Sequence, residues 1–524
     1  MMYQRANRRA SRRAQEFVWP APVGGLIRSG TNVGADPRGC EVLENFFPTA
    51  EGARLRGGSQ KIATTDDPVV SLFTYRSGVA ERLFAATATD VYDITSPVDP
   101  DVAPAADLSG LGSGDWSHVQ FATPGGQFLC MVNGEDDYHI FDGTDWAALD
   151  ADSSPAFTGV AGEDLTFVWA HKRRLWFTEK NRLSAWYLPV NSIAGAAVEF
   201  PLDGVFSLGG ALLFGGTWSQ DSGAGLDDLA VFVTTEGEIA VYQGSDPNTA
   251  SDWQLVGVYR IGRPLDKNGW FRAGGDLIIL TEDGIVSVAE ALRKDRAALQ
   301  AAAITAPIED LWQDAIAART GAFRFSVALW STRTTLLVGI PTLGNRLGVL
   351  VANTRTGAWA IFSGWEVTCM AVFQDQLFFG TADGTVARGD VGGQDMGMPY
   401  EGRYVPRFQE FGTTQDKLAL HARAIYRTDT QARAGIVAFA NYEVGEFQTT
   451  ISISDPGGAV WGTGVWGTSV WGASNASLTR SEWQAVTGMG FSLSVGITVT
   501  SATVATPRFD ILGTVIRYEV GRAI

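Results

Sequence analysis

A pattern of short apolar runs separated by turn residues recurs along the first three quarters of the chain. Each copy pairs an apolar strand with a tight turn and a second strand, and an isolated hairpin of this kind cannot bury its apolar face alone. Copies spaced by roughly 40–50 residues are typical of a β-propeller with one four-stranded blade per repeat. The sequence therefore predicts an all-β protein with a six- or seven-bladed β-propeller over residues 69–397. The copies begin at Leu83, Phe128, Leu175, Leu229, Leu277 and Leu377.

The strand rhythm is interrupted at residues 287–319. Ala289–Ala303 is rich in Ala, Leu, Arg, Gln and Glu, which favour helices. Pro307 opens a second candidate helix, whose apolar residues Ile308, Leu311, Trp312 and Ile316 follow a helical spacing. We expect a helical insertion between two blades, which serves either as a subunit contact or as a cap over the propeller.

Residues 398–524 carry longer strands in which apolar and polar positions alternate. This period of two is typical of a half-buried antiparallel sheet, and it predicts a C-terminal β-sandwich-like domain. An alternative is that some of these strands close the propeller or pair with the extended segment near the N-terminus. The alternating segments are residues 422–427, 435–442, 491–500 and 509–520.

A triplet of Val-Trp-Gly repeats lies inside this C-terminal region. Its tryptophans Trp461, Trp466 and Trp471 recur every five residues, which matches neither a helix nor a strand. One interpretation is a looped or bulged path whose tryptophans dock one after another on a sheet. The other is an exposed aromatic surface for a partner protein, a glycan or a membrane surface, since tryptophan is enriched at interfaces.

The N-terminal part of the chain divides into two segments. Residues 1–16 form a basic arm with Arg5, Arg8, Arg9, Arg12 and Arg13, which either docks on an acidic neighbouring subunit or remains a solvated tail. Residues 17–68 form an extended segment whose proline and glycine content excludes a long helix.

Net charge changes the expected partners. The chain carries −17 overall, and because five positive charges lie in its first thirteen residues, the remainder carries −22. An acidic body disfavours duplex DNA binding through phosphate neutralisation. It is compatible with a surface that repels DNA, such as the wall of a channel, and equally with solubility alone.

No residue pattern predicts a catalytic, cofactor or metal site. Adjacent acids could act on a sugar as acid and base, but such pairs in loops are commonly solvated, and Asp-Gly turns are expected in hairpins for backbone reasons. The four histidines have no spaced pair, the three cysteines form no CxxC motif, and no apolar run is long enough to span a membrane. We therefore predict a protein that is not an enzyme. The acids in question are Glu135, Asp136, Asp137, Asp227 and Asp228.

Three short motifs stand out in the extended segment: Pro22-Val-Gly-Gly-Leu, Leu43-Glu-Asn-Phe-Phe-Pro and Arg54-Leu-Arg-Gly-Gly-Ser. Together they resemble the opening of tail nozzle proteins of short-tailed bacteriophages, also called tail tubular protein B or tail hub proteins. The helical insertion, the Val-Trp-Gly repeats and the closing Gly513-Thr-Val-Ile-Arg-Tyr-Glu-Val are similar to that family as well. The arginine-rich arm and the modest size depart from it.

This resemblance implies a virion structural protein. It implies a homohexameric ring below the portal and adaptor proteins, which retains packaged double-stranded DNA and conducts it at ejection without reading its sequence. Tail fibres and the host surface are the further partners it implies, with synthesis in the host cytoplasm and final location in the phage tail. The alternatives from the residues themselves are a carbohydrate-binding or receptor-contact propeller and a glycan hydrolase.

Overall fold

A computed structural model describes residues 14–30, 34–78, 80–221, 226–320, 323–341, 347–428, 434–447, 452–453, 458–459, 470–471 and 478–521. The chain divides into two compact units. The propeller unit consists of Gln60–Leu350 and Trp365–Gly389, and the flanking unit consists of Met1–Ser59, Val351–Gly364 and Asp390–Ile524.

The propeller unit is built from antiparallel sheets that follow one another along the chain. Six of these sheets are confined to this unit, except that Ser59, the first residue of one strand, belongs to the flanking unit. A further set of strands precedes the last sheet along the chain. Its final strand, Leu347–Asn353, continues past the end of this unit at Leu350. The predicted β-propeller is thus confirmed, with a six-bladed arrangement. The first three sheets are Ser71–Arg76, Glu81–Ala86, Asp90–Asp93 and Ala106–Ser109; Ser117–Thr123, Gly126–Val132, Tyr138–Phe141 and Trp146–Leu149; and Leu165–His171, Arg174–Glu179, Ser184–Tyr187 and Val198–Pro201.

The remaining sheets vary more in length. The last one closes with Ser59–Thr64, a strand from far earlier in the chain, which joins the end of the propeller to its beginning. The sheets are Leu212–Asp221, Leu226–Thr234, Glu238–Gln243 and Gln254–Arg260; Trp270–Ala273, Asp276–Thr281 and Gly284–Ser287; the set Val327–Trp330, Thr335–Pro341 and Leu347–Asn353; and Val367–Phe373, Gln376–Thr381, Thr385–Gly389 and Ser59–Thr64. A parallel pair, Phe157–Thr158 with Gly195–Ala196, lies beside them.

Apolar clusters between neighbouring sheets hold the propeller unit together. Phe73 and Phe84 of the first sheet share a cluster with Leu129 and Phe141 of the second. The last and first sheets share another, which includes Cys369 and Leu83. Each hairpin therefore buries its apolar face against the next sheet, which is the physical requirement that the repeated pattern indicated.

A buried threonine closes the same turn in several sheets. The hydroxyl of Thr234 accepts a hydrogen bond from the backbone N–H of Glu238 at 3.0 Å, and Thr381 accepts one from Thr385 at 3.0 Å. Thr281 donates to the carbonyl of Gly284 at 2.8 Å. The Asp-Gly turns noted in the sequence are thus explained by local backbone bonding.

Three short helices follow the sheet that ends at Ser287, and a single helix over Ala289–Ala303 does not form. The first helix stops after one turn, and the carboxylate of Asp295 then caps the second by accepting from the backbone N–H of Ala298 at 2.9 Å. The helices are Val288–Ala291, Arg296–Ala301 and Glu309–Ala317; 3₁₀ turns occupy Gly162–Asp164, Ala306–Ile308 and Ser331–Arg333.

The flanking unit contains two larger sheets with a common core. Trp19, Leu493, Val495 and Ile516 come from both sheets and belong to one buried cluster. One sheet holds Gln15–Trp19, Phe46–Pro48, Ala53–Leu55, Lys417–Thr428, Leu478–Ser481, Gln484–Gly490 and Phe509–Val520; the other holds Gly25–Leu26, Gly39–Glu44, Trp359–Phe362, Tyr400–Pro406, Gly435–Ala440, Ser452–Ile453 and Leu493–Ser501.

The units cut across the domain boundaries expected from the sequence. Gln15–Trp19 pairs with the strand that ends at Val520, and Gly39–Glu44 pairs with Tyr400–Pro406. The N-terminal segment and residues 398–524 therefore belong to one unit rather than two, because the edge of each C-terminal sheet is completed by N-terminal strands. This was the alternative that the alternating pattern left open.

One buried arginine organises the junction of these N-terminal strands. Arg56 is fully buried, and its guanidinium forms a two-pronged ion pair with Asp395 at 2.6 and 2.9 Å. Its other donors reach Asn45 Oδ1 at 2.9 Å and the carbonyls of Gly57 and Ser363 at 2.8 Å. All five guanidinium N–H groups are thus bonded, and the group lies over the Tyr400 ring at 4.1 Å.

Candidate ligand cavity of the propeller unit

A cavity of about 320 Å³ lies where the first strands of several propeller sheets converge. It is the size of the smaller pockets that bind small molecules, roughly 300 Å³ and above. Its wall combines hydroxyl, carboxylate and guanidinium groups with aromatic rings. Its lining residues include Asp115, His118, Phe167, Asp266, Asn268, Trp270, Arg324 and Phe325.

A buried ionic cluster forms one side of the cavity. Lys267 Nζ donates to the carbonyls of Asp115 at 2.8 Å and Thr166 at 3.1 Å, and it lies 3.2 Å from Asp115 Oδ2. Arg324 Nη1 reaches the same Oδ2 at 2.8 Å, while 54% of its side chain stays exposed. Burial lowers the pKa of Lys267, and the attraction of Asp115 opposes that shift. Each proton of the ammonium group therefore has an acceptor.

Asp266 lies beside this cluster but takes part in no ion pair among the described residues. It is 8% exposed, and one carboxylate oxygen accepts from the backbone N–H of Asn268 at 2.9 Å. Burial raises the pKa of this carboxyl, and the Asn268 N–H only partly offsets the effect. The second oxygen accepts no hydrogen bond from the described residues, and the residue lines the cavity. Asp266 therefore has bonding capacity that the surrounding protein leaves unused.

Three further groups are open to the cavity. Asn268 is half-buried and His118 is exposed, and both line the cavity. Trp270 is half-buried and stacks on Phe214 with ring centroids 6.0 Å apart, which fixes the orientation of the indole. The cavity thus offers hydrogen-bonding groups of both kinds beside an ordered aromatic wall.

Most of the residues singled out by the sequence lie outside the described residues. Arg5, Arg8, Arg9, Arg12, Arg13, Trp461 and Trp466 all do. Only the backbone of Trp471 is described: with Val470 it forms a two-residue strand that pairs in parallel with Gly458–Ala459. The basic arm and the Val-Trp-Gly repeats therefore remain predictions.

The acids considered for sugar chemistry are engaged in local contacts. Glu135 pairs with Lys180 at 2.5 Å, and Asp136 accepts from the backbone N–H of Gly112 at 2.8 Å. The carbonyl of Asp137 lies 2.7 Å from His139 Nδ1, and Asp228 accepts from Ser219 Oγ at 2.5 Å. Asp227 lies on the strand Leu226–Thr234. The carboxylate of Glu135 thus contacts a turn of the next sheet, that of Asp136 the loop before Ser117–Thr123, and that of Asp228 the neighbouring strand.

Other reactive groups are buried. Cys40, Cys130 and Cys369 are unpaired, and burial raises the pKa of the Cys130 and Cys369 thiols to about 12. His171 has a pKa lowered to about 4, chiefly by burial. Within the described ranges, no group of three or more His, Cys, Asp or Glu side chains is placed to hold a metal ion. None of the described helices is long and apolar enough to cross a membrane.

Sequence reasoning missed the cavity residues. A signal was present, because Asp115, Asp266 and Arg324 each stand just before the first strand of a repeat, at Ser117, Trp270 and Val327. First strands line the centre of a propeller, so polar residues at their starts converge. The repeats differ too much in length for this alignment to be made from one sequence.

Comparison of the sequence with protein-family models and with curated proteins gives no match. Among solved structures, 67% of this chain is similar to 98% of the BBS1N chain solved in complex with ARL6DN, at 10% identity and a TM-score of 0.39. Raptor from Chaetomium thermophilum is similar over 64% of this chain and 29% of its own, at 10% identity and a TM-score of 0.39. Sqt1 from Saccharomyces cerevisiae is similar over 63% and 84%, at 14% identity and a TM-score of 0.34. These weak likenesses carry no information about function.

Proposed function

We propose that this protein is a virion structural protein, the tail nozzle of a short-tailed bacteriophage. In this role six copies form a ring that retains packaged DNA and conducts it at ejection, with adaptor proteins and tail fibres as its neighbours. The proposal extends the resemblance seen in the N-terminal segment.

One observation carries the proposal: two of the motifs behind that resemblance meet in one buried cluster. Asn45, from Leu43-Glu-Asn-Phe-Phe-Pro, accepts a hydrogen bond from Arg56 of Arg54-Leu-Arg-Gly-Gly-Ser at 2.9 Å. The side-chain amide of Asn45 also donates to Ser363 Oγ at 3.0 Å and to the carbonyl of Glu401 at 2.7 Å. The two motifs thus share one structural task in this chain, so the resemblance rests on one buried arrangement and not on two unconnected short stretches.

The propeller cavity bears on where DNA would pass. At about 320 Å³, and with the ion pair of Arg324 and Asp115 in its wall, it has no room for a duplex. A DNA channel therefore has to lie between subunits, which is what a ring supplies. The acidic charge of the chain favours such a wall, because phosphates slide past carboxylates without binding.

Electron microscopy of the purified full-length protein, with native mass spectrometry, tests the proposal. We expect a six-fold ring with a channel about as wide as duplex DNA. Replacing the five arginines of the arm by alanine should weaken assembly, whereas replacing them by lysine should preserve it, since the docking is electrostatic. A chain that stays monomeric both alone and with its adaptor ring would contradict the proposal. The substituted residues are Arg5, Arg8, Arg9, Arg12 and Arg13.

A further inference from the structure

We propose that the cavity of the propeller unit is a binding site for a neutral, polyhydroxylated ligand the size of one sugar ring. Nothing in the proposed ring function requires such a site, so the two proposals stand or fall separately. Three features of the cavity favour such a ligand: the unused carboxylate oxygen of Asp266, the balance of charges and the aromatic wall.

The first step is the carboxylate of Asp266. A carboxylate that is 8% exposed is costly to bury unless its lone pairs are used. Within the described residues it receives one hydrogen bond, from the backbone of Asn268, and the neighbouring Lys267 turns to Asp115 instead. A ligand hydroxyl can donate to the free oxygen of Asp266, and this completes its bonding.

The charged groups around the cavity favour a neutral ligand. The wall holds the carboxylates Asp115 and Asp266 and the guanidinium of Arg324. Lys267 does not line the cavity but pairs with Asp115, so the cluster of two carboxylates and two cations has no excess of either sign. A charged ligand would leave one charge uncompensated in a confined space, which costs several kcal/mol by order of magnitude. A neutral ligand avoids this cost, and hydroxyl groups can both donate to Asp266 and accept from the exposed nitrogens of Arg324.

The third step is shape. Phe167 and Phe325 are buried in the wall. The ring centroids of Trp270 and Phe167 are 6.2 Å apart. Such a wall suits the apolar C–H face of a sugar ring, while planar polar groups, here Asp266, Asn268 and Arg324, suit neighbouring hydroxyls. The cavity volume of about 320 Å³ holds roughly ten waters at ~30 Å³ each, which leaves room for one ring rather than a chain of them.

Saturation-transfer NMR on the full-length protein tests this inference. The probes are methyl α-D-glucopyranoside, methyl α-D-galactopyranoside and N-acetyl-D-glucosamine at millimolar concentration. We expect transfer to at least one sugar. Asp266→Asn should raise its Kd about tenfold or more, because a charge-assisted hydrogen bond is lost. Asn268→Ala should raise it less, and it serves as the second variant in case Asp266→Asn does not fold.

Asp203→Asn is the matched control, since Asp203 is an exposed carboxylate that does not line the cavity. It should leave the Kd unchanged. Thermal melting establishes that each variant is folded. The inference is overturned if no sugar gives transfer, if transfer survives both cavity variants, or if glycine or sodium chloride displaces the sugar, which would reveal a site for ions.

Discussion

Each unit of this protein buries an ionic cluster, and the two clusters differ in how completely they are bonded. In the flanking unit, Arg56 uses all five of its N–H groups, and its partner Asp395 is matched to it through two hydrogen bonds. In the propeller unit, Lys267 is similarly satisfied, but Asp266 keeps a free oxygen and Arg324 stays half exposed.

This difference distinguishes buried polar groups that hold the fold together from buried polar groups that can bind a ligand. A complete buried network holds one arrangement of the chain and has nothing left to offer a ligand. An incomplete one carries a cost that a ligand can relieve, which is how binding sites are commonly recognised. Changes to the first cluster should therefore affect stability alone, and changes at Asp266 should affect binding with little loss of stability.

The largest expected effect is on the complete cluster. Asp395→Ala leaves the Arg56 guanidinium buried without its carboxylate, so we expect the free energy of unfolding to fall by about 3–5 kcal/mol. Urea denaturation measures it. The exposed pair of Arg38 with Asp36 is the control in the same unit, and Asp36→Ala should cost no more than about 1 kcal/mol. Equal losses for the two variants would contradict this account of Arg56.

A smaller loss is expected at Asp115. Its removal deprives Lys267 of a carboxylate but leaves two carbonyl acceptors, and Arg324 is open to water, so Asp115→Ala should cost about 2–3 kcal/mol. Most of this loss comes from the buried Lys267 ammonium, which no longer has a carboxylate partner. Adding Lys267→Met should therefore restore part of the lost stability. A double-mutant cycle by urea denaturation measures the coupling. Strictly additive losses would show that the two residues do not interact.

The glycines beside Arg56 give a third comparison. A Cβ at Gly58 would lie 2.0 Å from the carbonyl oxygen of Gln394, and that backbone atom has no rotamer by which to move away. Gly58→Ala should therefore lower stability by about 1–3 kcal/mol. Gly204→Ala, where nothing lies within 4 Å, should be close to neutral in the same thermal melts. If Gly58→Ala left the stability unchanged, the backbone segments around Gly58 and Gln394 would be able to move apart and make room for the added methyl group.

The sequence predicted the elements better than their connections. Repeated apolar hairpins required neighbouring sheets to cover them, and the propeller follows from that requirement. The closing strand Ser59–Thr64 was not predicted, because its partner Thr385–Gly389 is more than three hundred residues away and no local pattern records the pairing. The break between the first two helices was also not predicted. The high helix propensity of Ala289–Ala303 indicated one continuous helix, although an aspartate such as Asp295 is a favoured N-cap and can mark the start of a new helix.

The sites show the same division. Arg56 and its glycines stood out in the sequence as a motif, although their structural task became clear only with Asn45, Ser363 and Asp395 in place. The cavity residues formed no motif, because Asp115, Asp266 and Arg324 come from three repeats of unequal length. Convergence of this kind depends on closure of the ring, and a single sequence does not encode it locally.

The smallest effect on stability should come from Asp266→Asn. Burial raises the pKa of Asp266, so the folded state holds the proton more tightly than the unfolded state, and the associated stability is lost as pH rises through the window above 3.8. Asparagine carries no charge, so near pH 7 the free energy of unfolding of the variant should equal that of the native protein or exceed it by no more than about 1 kcal/mol. This gain in stability should shrink toward pH 4. Thermal melts at both pH values measure this, with the exposed Asp203→Asn as a flat control. A loss of several kcal/mol at pH 7 would show instead that the Asp266 carboxylate supports the fold as Asp395 does, and it would remove the contrast between the two clusters.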